Sequence, residues 1–234
     1  MEQLPLILAP APPPTLDNFV PGRNQTVVDA LRRFLADPAS DRSIYLWGPT
    51  GAGRSHLLSA LAEAARAEAI AVYTLNEMPP PSARRLLLLD DVDQLDVDGQ
   101  QAAFEQINHA LLLGARVLAS GRAPARSLEL RDDLRSRLAQ CLNLPLEPLN
   151  EADKRAALSS RAQGAGVQLA ASLLDYLLSH SPRDMGRLMA TIEALDRRSL
   201  VDQRAVTLPL LRQVMQALDE QRTASTPTPH GEPE

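Results

Sequence analysis

Apolar and polar positions follow two different patterns along the chain. Between residues 25 and 147, short apolar runs alternate with amphipathic stretches, and beyond about residue 149 only helical periodicity remains. Apolar runs of four to six residues predict the strands of a parallel sheet, because helices cover both faces of such a sheet. The chain is therefore predicted to contain an α/β domain at residues 15–148 and a small all-helical lid at residues 149–220.

The elements of the α/β domain are expected to begin with a helix near Asn24, since an asparagine side chain can cap the first turn of a helix. Further helices are expected near residues 54–69, with Leu57, Leu61 and Ala64 on one face, and near residues 99–113. Strands are expected at residues 43–47, 70–75, 86–89, 116–120 and 141–146.

The lid is expected to contain four helices. They are predicted at about residues 150–163, 170–179, 182–198 and 208–218. In the last of these, Leu210, Leu211, Val214 and Leu218 share one side. The remaining segments are a proline-rich leader at residues 1–14, expected to be a flexible arm, and a polar tail at residues 221–234, expected to be disordered.

Composition excludes several classes of protein. The net charge of −5 argues against a broad nucleic-acid footprint, although a local basic patch stays open. The single cysteine, Cys141, excludes an internal disulfide and a cysteine-based zinc site, and suits a reducing cytosol. No stretch approaches the roughly 20 apolar residues of a membrane span, and the leader carries Glu2 where a secretory signal needs positive charge. A cytoplasmic protein without membrane contacts is expected.

A glycine-rich segment, "WGPTGAGRSH" at residues 47–56, lies between the first strand and the following helix. Its spacing fits the phosphate-binding pattern G-x-x-x-x-G-[KR]-[ST], in which backbone amides and a helix N-terminus surround the phosphates. The alternative is an ordinary glycine-rich turn, which the strand-to-helix context disfavours. The predicted nucleotide-binding residues are Gly48, Pro49, Thr50, Gly51, Ala52, Gly53, Arg54, Ser55 and His56, with the Ser55 hydroxyl also available to Mg²⁺.

Arg54 occupies the position that lysine takes in most such loops. The exchange is not conservative, because lysine is a compact point charge and arginine a larger planar fork. The alternative is compositional bias, since Lys154 is the only lysine among 24 basic side chains. We expect the loop to hold a nucleotide, and the exchange disfavours hydrolysis by this chain itself.

Two acids follow the third predicted strand in "LLLLDD". An acid at the tip of a buried parallel strand can hold Mg²⁺ beside a phosphate loop, and a second acid can orient the attacking water. Asp90 fits the first role, together with Ser55, and Asp91 fits the second. The alternative, a solvated turn, is disfavoured by the position of the pair one strand and one helix after the glycine loop.

Arginines cluster in "LRDDLRSRLAQ" and "SPRDMGRL". An arginine supplied across an interface can stabilise the charge that develops on a γ-phosphate and accelerate its hydrolysis. From composition alone, these are exposed arginines on helices.

With these motifs in order, the chain from about Leu16 to Leu218 resembles the DnaA family of the AAA+ superfamily, including its shortened Hda group. "LDNFVPGRN" resembles the opening box near the adenine, "YLWGPTGAGRSHLL" the Hda nucleotide loop, and "LLLLDDVD" the Walker B strand. "DLRSRLA" resembles the segment that carries the arginine finger, here Arg137, and "PRDMGRLM" the sensor 2 helix, here Arg183. "ASGRAPA" departs from the family by placing Arg122 where an acidic sensor 1 residue would stand.

The resemblance implies an AAA+ P-loop sheet domain with a helical lid, binding ADP or ATP, with Mg²⁺ if bound. It also implies a negative regulator of replication initiation that stimulates ATP hydrolysis by DnaA through Arg137. The leader resembles the peptide that docks on the sliding clamp, over Gln3, Leu4, Pro5, Leu6 and Ile7. DNA would be met only through the clamp, since the sequence ends without the family's DNA-reading domain.

Three alternatives remain open from the sequence. The first is a self-contained AAA+ ATPase such as a helicase loader, the second a DNA-binding initiator paralogue, and the third an adaptor from another DnaA-family branch. The bound nucleotide and self-association are also left open.

Overall fold

The computed structural model describes residues 13–80, 82, 84–164, 167, 169–180, 185–202 and 206–224. These residues fall into two compact units that meet in the sequence at Asn150 and Glu151. Each unit is described by itself below. In the described part of the chain, no helix has the length and hydropathy needed to cross a bilayer.

The first unit is built on a parallel sheet of five strands, in the order β2-β3-β4-β1-β5. The strands are β1 (Ser43–Trp47), β2 (Ala71–Tyr73), β3 (Arg85–Leu89), β4 (Arg116–Gly121) and β5 (Leu142–Pro145). All neighbouring pairs are parallel, so the carboxyl ends of the strands lie at one edge. The predicted parallel α/β sheet is confirmed, and β2 is shorter than the sequence indicated.

Helices cover both faces of this sheet. They are α1 (Gln25–Ala36), α2 (Arg54–Ala67), α3 (Val97–Leu112) and α4 (Asp132–Ala139). One core cluster joins α1 and α2 to one face of the strands, and a second joins α3 and α4 to the other. This explains why the strands are apolar on both faces: Leu86, Leu87 and Leu118 are fully buried.

The expected capping role of Asn24 is wrong. Asn24 precedes α1, but its side chain makes no cap hydrogen bond. Its Nδ2 donates to the carbonyl of Glu147 (2.8 Å), and its Oδ1 accepts from the amide of Glu147 (2.8 Å). The amide side chain carries both a donor and an acceptor, so it satisfies both backbone groups of Glu147, whereas a cap would use only the acceptor. Asn24 thereby joins the start of α1 to the segment after β5.

The second unit is helical. Its described helices are α5 (Glu151–Gly164), α6 (Ala171–His180), α7 (Met185–Asp202) and α8 (Leu208–Ala224). They share one apolar core, in which Leu158, Leu177, Ile192 and Val214 are fully buried. On the predicted face of α8, Leu211 and Val214 are buried, while Leu210 and Leu218 pack at the edge of the core.

Candidate nucleotide-binding site

The phosphate loop runs from the end of β1 to the start of α2, and two of its glycines are required by close contacts. A Cβ at Gly48 would lie 2.4 Å from the carbonyl oxygen of Leu146, which is backbone and cannot move aside. Gly53 has φ +98°, and a Cβ there would lie 2.6 Å from Cε2 of Phe19. Glycine is therefore needed at both ends of the loop, for space at the first and for conformation and space at the second.

The helix that follows the loop presents its N-terminus without a side-chain cap. The N-cap position of α2 is Gly53, which has no side chain to accept a hydrogen bond. The first backbone amides of an α-helix have no partner within the helix, so they remain available to an anion. The glycine-dependent loop and this helix end fit a nucleotide phosphate, as the sequence pattern predicts.

Arg54 is the first residue of α2, and its guanidinium lies inside the loop. Nη1 donates to the carbonyl of Gly48 (2.8 Å), and Nη2 donates to Oδ1 of Asp91 (2.6 Å). The Arg54 side chain is only 10% exposed, and that of Asp91 is 42% exposed. The structure thus brings three predicted site residues into direct contact.

Burial and the neighbouring charges shift the pKa of the Asp91 carboxyl group in opposite directions. Burial raises the pKa of Asp91, the Arg54 guanidinium lowers it, and the neighbouring carboxylates of Asp90 and Asp93 raise it. The net direction is upward, because desolvation is the largest of these effects.

Asp90 is held at the end of β3 by a residue of β4. Ser120 is fully buried, and its hydroxyl donates a hydrogen bond to Oδ1 of Asp90. The backbone amide of Asp91 donates to the same Ser120 hydroxyl (3.0 Å) and lies 3.1 Å from Oδ1 of Asp90. One side chain from the neighbouring strand therefore fixes both acids of the predicted Walker B pair.

Asp90 and Ser55 carry the donor types that a Mg²⁺ site shared with phosphates needs. One carboxylate and one hydroxyl are too few for a site made by protein alone, but Mg²⁺ commonly completes its shell with phosphate oxygens and water. Accordingly, the described residues contain no group of three or more acidic, histidine or cysteine side chains able to hold a metal. These residues fit Mg²⁺ brought with a nucleotide.

Arg122 lies just beyond β4 and binds Asp93. Its Nε is 3.2 Å from Oδ2 of Asp93, and its backbone amide donates to Oδ1 (2.9 Å). Asp93 is almost fully buried, at 4% side-chain exposure. The buried Asp93 carboxylate thus joins the turn after β3 to the loop after β4, with Arg122 as its cation.

Phe19, from the opening box, lies over the far end of the phosphate loop. Its ring centroid is 5.4 Å from that of His56, and its edge meets Gly53. His56 Nε2 lies 3.1 Å from the carbonyl of Thr15. Burial lowers the pKa of His56, and the contact with Thr15 partly offsets that effect. The opening segment therefore packs on the loop within this unit.

The predicted finger, Arg137, lies on α4 among arginines with different partners. Arg131 pairs with Asp133 (3.0 Å) and Arg135 with Asp132 (2.5 Å). Arg137 donates only to the neutral amide of Gln140 (3.2 Å) and has no carboxylate partner in the described part of the chain. Among the described residues, no hydrogen bond or ion pair joins the Arg137 side chain to the phosphate loop of the same chain.

Two groups of predicted residues lie outside the described part of the chain. These are Arg183 and the leader residues Gln3, Leu4, Pro5, Leu6 and Ile7. Conversely, sequence reasoning missed Ser120 and Asp93. Ser120 stands directly after the register pair Leu89 and Ala119, which is the position next to Asp90, but only the strand order reveals this.

A family model matches the helical unit, and solved structures match most of the chain. Residues 151–215 match the family model described as Hda, lid domain. The helical unit is thus similar to the Hda lid domain over these residues.

The fold is that of DnaA domain III. The Thermotoga maritima DnaA domain III is similar, with a TM-score of 0.67 and 20% identity over 86% of this chain and 95% of that chain. A DnaA bound to AMPPCP and single-stranded DNA gives 0.65 and 18%, covering 93% of this chain and 70% of that chain. Aquifex aeolicus DnaA bound to AMPPCP gives 0.63 and 19%, covering 84% and 71%. At these identities, the likeness shows a shared fold.

Proposed function

We propose that the chain is an Hda-like protein of the DnaA family, a replication regulator that stimulates ATP hydrolysis by DnaA. In this proposal the chain holds ADP or ATP in its own loop, with Mg²⁺, and inserts Arg137 beside the γ-phosphate held by DnaA. The product is ADP-bound, inactive DnaA. Hydrolysis takes place in the partner's site, so the chain need not turn over ATP itself.

The observation that carries this proposal is the state of Arg137. An arginine finger must leave its resting partners and pair with phosphate oxygens in another subunit. Arg131 and Arg135 would each have to break an ion pair first, whereas Arg137 leaves only an amide. A single inserted arginine accelerates phosphoryl transfer by about 10³ to 10⁵, or roughly 4 to 7 kcal/mol.

The nucleotide in the chain's own loop has a structural role in this proposal. The loop, the open end of α2 and Arg54 support phosphate binding, and the relatives bound to AMPPCP hold an adenine nucleotide. Arg54 takes the position that lysine has in most such loops, and this exchange supports holding a nucleotide over cleaving it. We expect ADP to be the resident nucleotide.

The leader gives the proposal its location on DNA. Gln3, Leu4, Pro5, Leu6 and Ile7 carry the sequence pattern of a clamp-docking peptide, in which alternate apolar side chains enter a pocket. The sliding clamp would bring the chain to DNA. A doubly substituted Gln3→Ala, Leu4→Ala protein should lose clamp affinity in a surface-binding measurement, and unchanged affinity would remove the clamp from the proposal.

The central test measures ATP turnover by purified DnaA with DNA-loaded clamp. Added wild-type protein should raise turnover, and Arg137→Ala should return it to the level of DnaA alone. Arg135→Ala is the matched control, because it removes the same charge two residues away on α4. If Arg137→Ala stimulates as well as wild type, Arg137 is not the finger; if Arg135→Ala alone loses stimulation, the finger is Arg135.

A further inference from the structure

The Arg54 guanidinium already binds an anion within the chain. Its Nη2 donates to Asp91 at 2.6 Å, and the arginine side chain is 90% removed from solvent. A buried guanidinium without an anionic partner would be strongly destabilising. Asp91 supplies that partner, and it is the only carboxylate paired with Arg54 in the described part of the chain.

A phosphate bound in this loop would be drawn to the same guanidinium. Carboxylate and phosphate oxygens are both strong acceptors for the arginine fork. The fork has further N–H groups beyond those that bind Gly48 and Asp91, but it carries one positive charge, which Asp91 and a phosphate would share. Two anions beside one cation repel each other, so each weakens the binding of the other.

We propose that Asp91 is a built-in competitor of the nucleotide phosphates for Arg54, so that nucleotide binding transfers the guanidinium from Asp91 to phosphate. This inference rests on the nucleotide binding in the proposed function, and it names a residue that limits the affinity of the loop for the nucleotide. Within the chain, the Asp91 carboxylate neutralises the buried guanidinium of Arg54. Nucleotide binding then releases Asp91 as a free carboxylate at the end of β3.

The backbone around Asp91 supports a competitor that the fold itself holds in place. Asp91 adopts a left-handed conformation (φ 45°, ψ 53°), which aspartate and asparagine tolerate better than most residues. Its amide donates to the buried hydroxyl of Ser120 at 3.0 Å. The position of the carboxylate is therefore determined by β3 and β4 as well as by Arg54, and Asp91 can regain the guanidinium when the nucleotide leaves.

The test compares two single-charge substitutions in one titration. Affinity for a fluorescent ADP analogue is measured in EDTA, so that Mg²⁺ bound through Asp90 plays no part. Asp91→Asn keeps the size and the tolerated backbone conformation but weakens the competing bond, and should raise affinity about threefold to tenfold. Asp90→Asn removes the same charge one residue away without touching Arg54, and should raise affinity less.

If Asp90→Asn and Asp91→Asn raise the affinity for the ADP analogue equally, the gain comes only from removing a negative charge near the site, and the proposal is overturned. Weaker binding by Asp91→Asn would overturn it too. If Asp91→Asn does not fold, Asp91→Gly tests the same bond, because glycine adopts the left-handed conformation freely. The outcome is separable from the proposed function, since no DnaA is present. If wild type binds the ADP analogue and Asp91→Asn binds it no more tightly, only the competitor role of Asp91 is contradicted. If neither wild type nor any variant binds it, nucleotide binding by the chain is contradicted as well.

Discussion

The hydroxyl of Ser120 donates to the carboxylate of Asp90 and accepts from the amide of Asp91. The two residues it binds directly follow β3, while Ser120 itself lies near the end of the adjacent β4. Because Ser120 is fully buried, water does not replace these bonds when the hydroxyl is removed. The position of the predicted Mg²⁺ ligand thus depends on a residue that would not touch the metal.

Ser120→Ala should weaken Mg²⁺-dependent nucleotide binding. Residues that orient a metal ligand typically contribute about tenfold or more to metal affinity. We expect the gain in nucleotide affinity on adding Mg²⁺ to shrink roughly tenfold, while affinity in EDTA changes little. Ser59→Ala on the exposed side of α2 is the control. An equal loss with and without Mg²⁺ would mean that Ser120 supports the loop as a whole.

Gly53→Ala and Gly114→Ala separate backbone strain from contact. Both glycines have positive φ, +98° and +73°, but only Gly53 faces a neighbour, the ring of Phe19. Gly114→Ala should lower the free energy of unfolding by about 1 to 2 kcal/mol from the left-handed conformation alone. Gly53→Ala should lower it further and also weaken nucleotide binding. Chemical denaturation and nucleotide titration measure both, and equal costs would show that Phe19 moves aside freely.

Asn24→Asp distinguishes the two roles that Asn24 could have at the start of α1. Aspartate caps helices as well as asparagine does, so a cap would tolerate the change. Aspartate has no donor for the carbonyl of Glu147, so the observed pair of hydrogen bonds predicts a loss of about 1 to 3 kcal/mol in urea unfolding. Gln25→Ala, at an exposed neighbour, is the control. Unchanged stability of Asn24→Asp would restore the capping role.

His56 should make the folded unit lose stability in mild acid. Burial lowers its pKa from the ordinary 6.5, so the unfolded chain binds the proton first as the pH falls. The stability contributed by neutral His56 is complete above about pH 6.5 and decreases as the pH falls toward the folded-state value. Between about pH 7.5 and 5.5, the free energy of unfolding of His56→Gln should fall less than that of wild type. Parallel curves of stability against pH for His56→Gln and wild type would contradict the assignment.

The main elements of the fold were predictable, because strands buried on both faces are apolar over their whole length. β1 begins at Ser43 and ends at Trp47, as the pattern predicted. The arginines of α4 were expected on a helix, but its bounds were not predicted, because only Leu134 and Leu138 of its eight residues are buried, too few for a clear period. In the sequence, Asp93 resembles a residue of an exposed turn. In the structure its carboxylate is buried and paired with Arg122, which follows β4. Local patterns do not contain such distant partners.

The charge arrangement on α4 has a consequence for how fast a partner could be found. Asp132 and Asp133 neutralise Arg135 and Arg131, so the segment around Arg137 presents little net positive field at a distance. Long-range attraction requires an uncompensated charge, because its field must act beyond the Debye length, which is about 8 Å at physiological salt. The encounter of this surface with a nucleotide-bearing partner should therefore vary little with ionic strength. Arg137 would then act only over the last few ångströms, after other contacts have set the alignment.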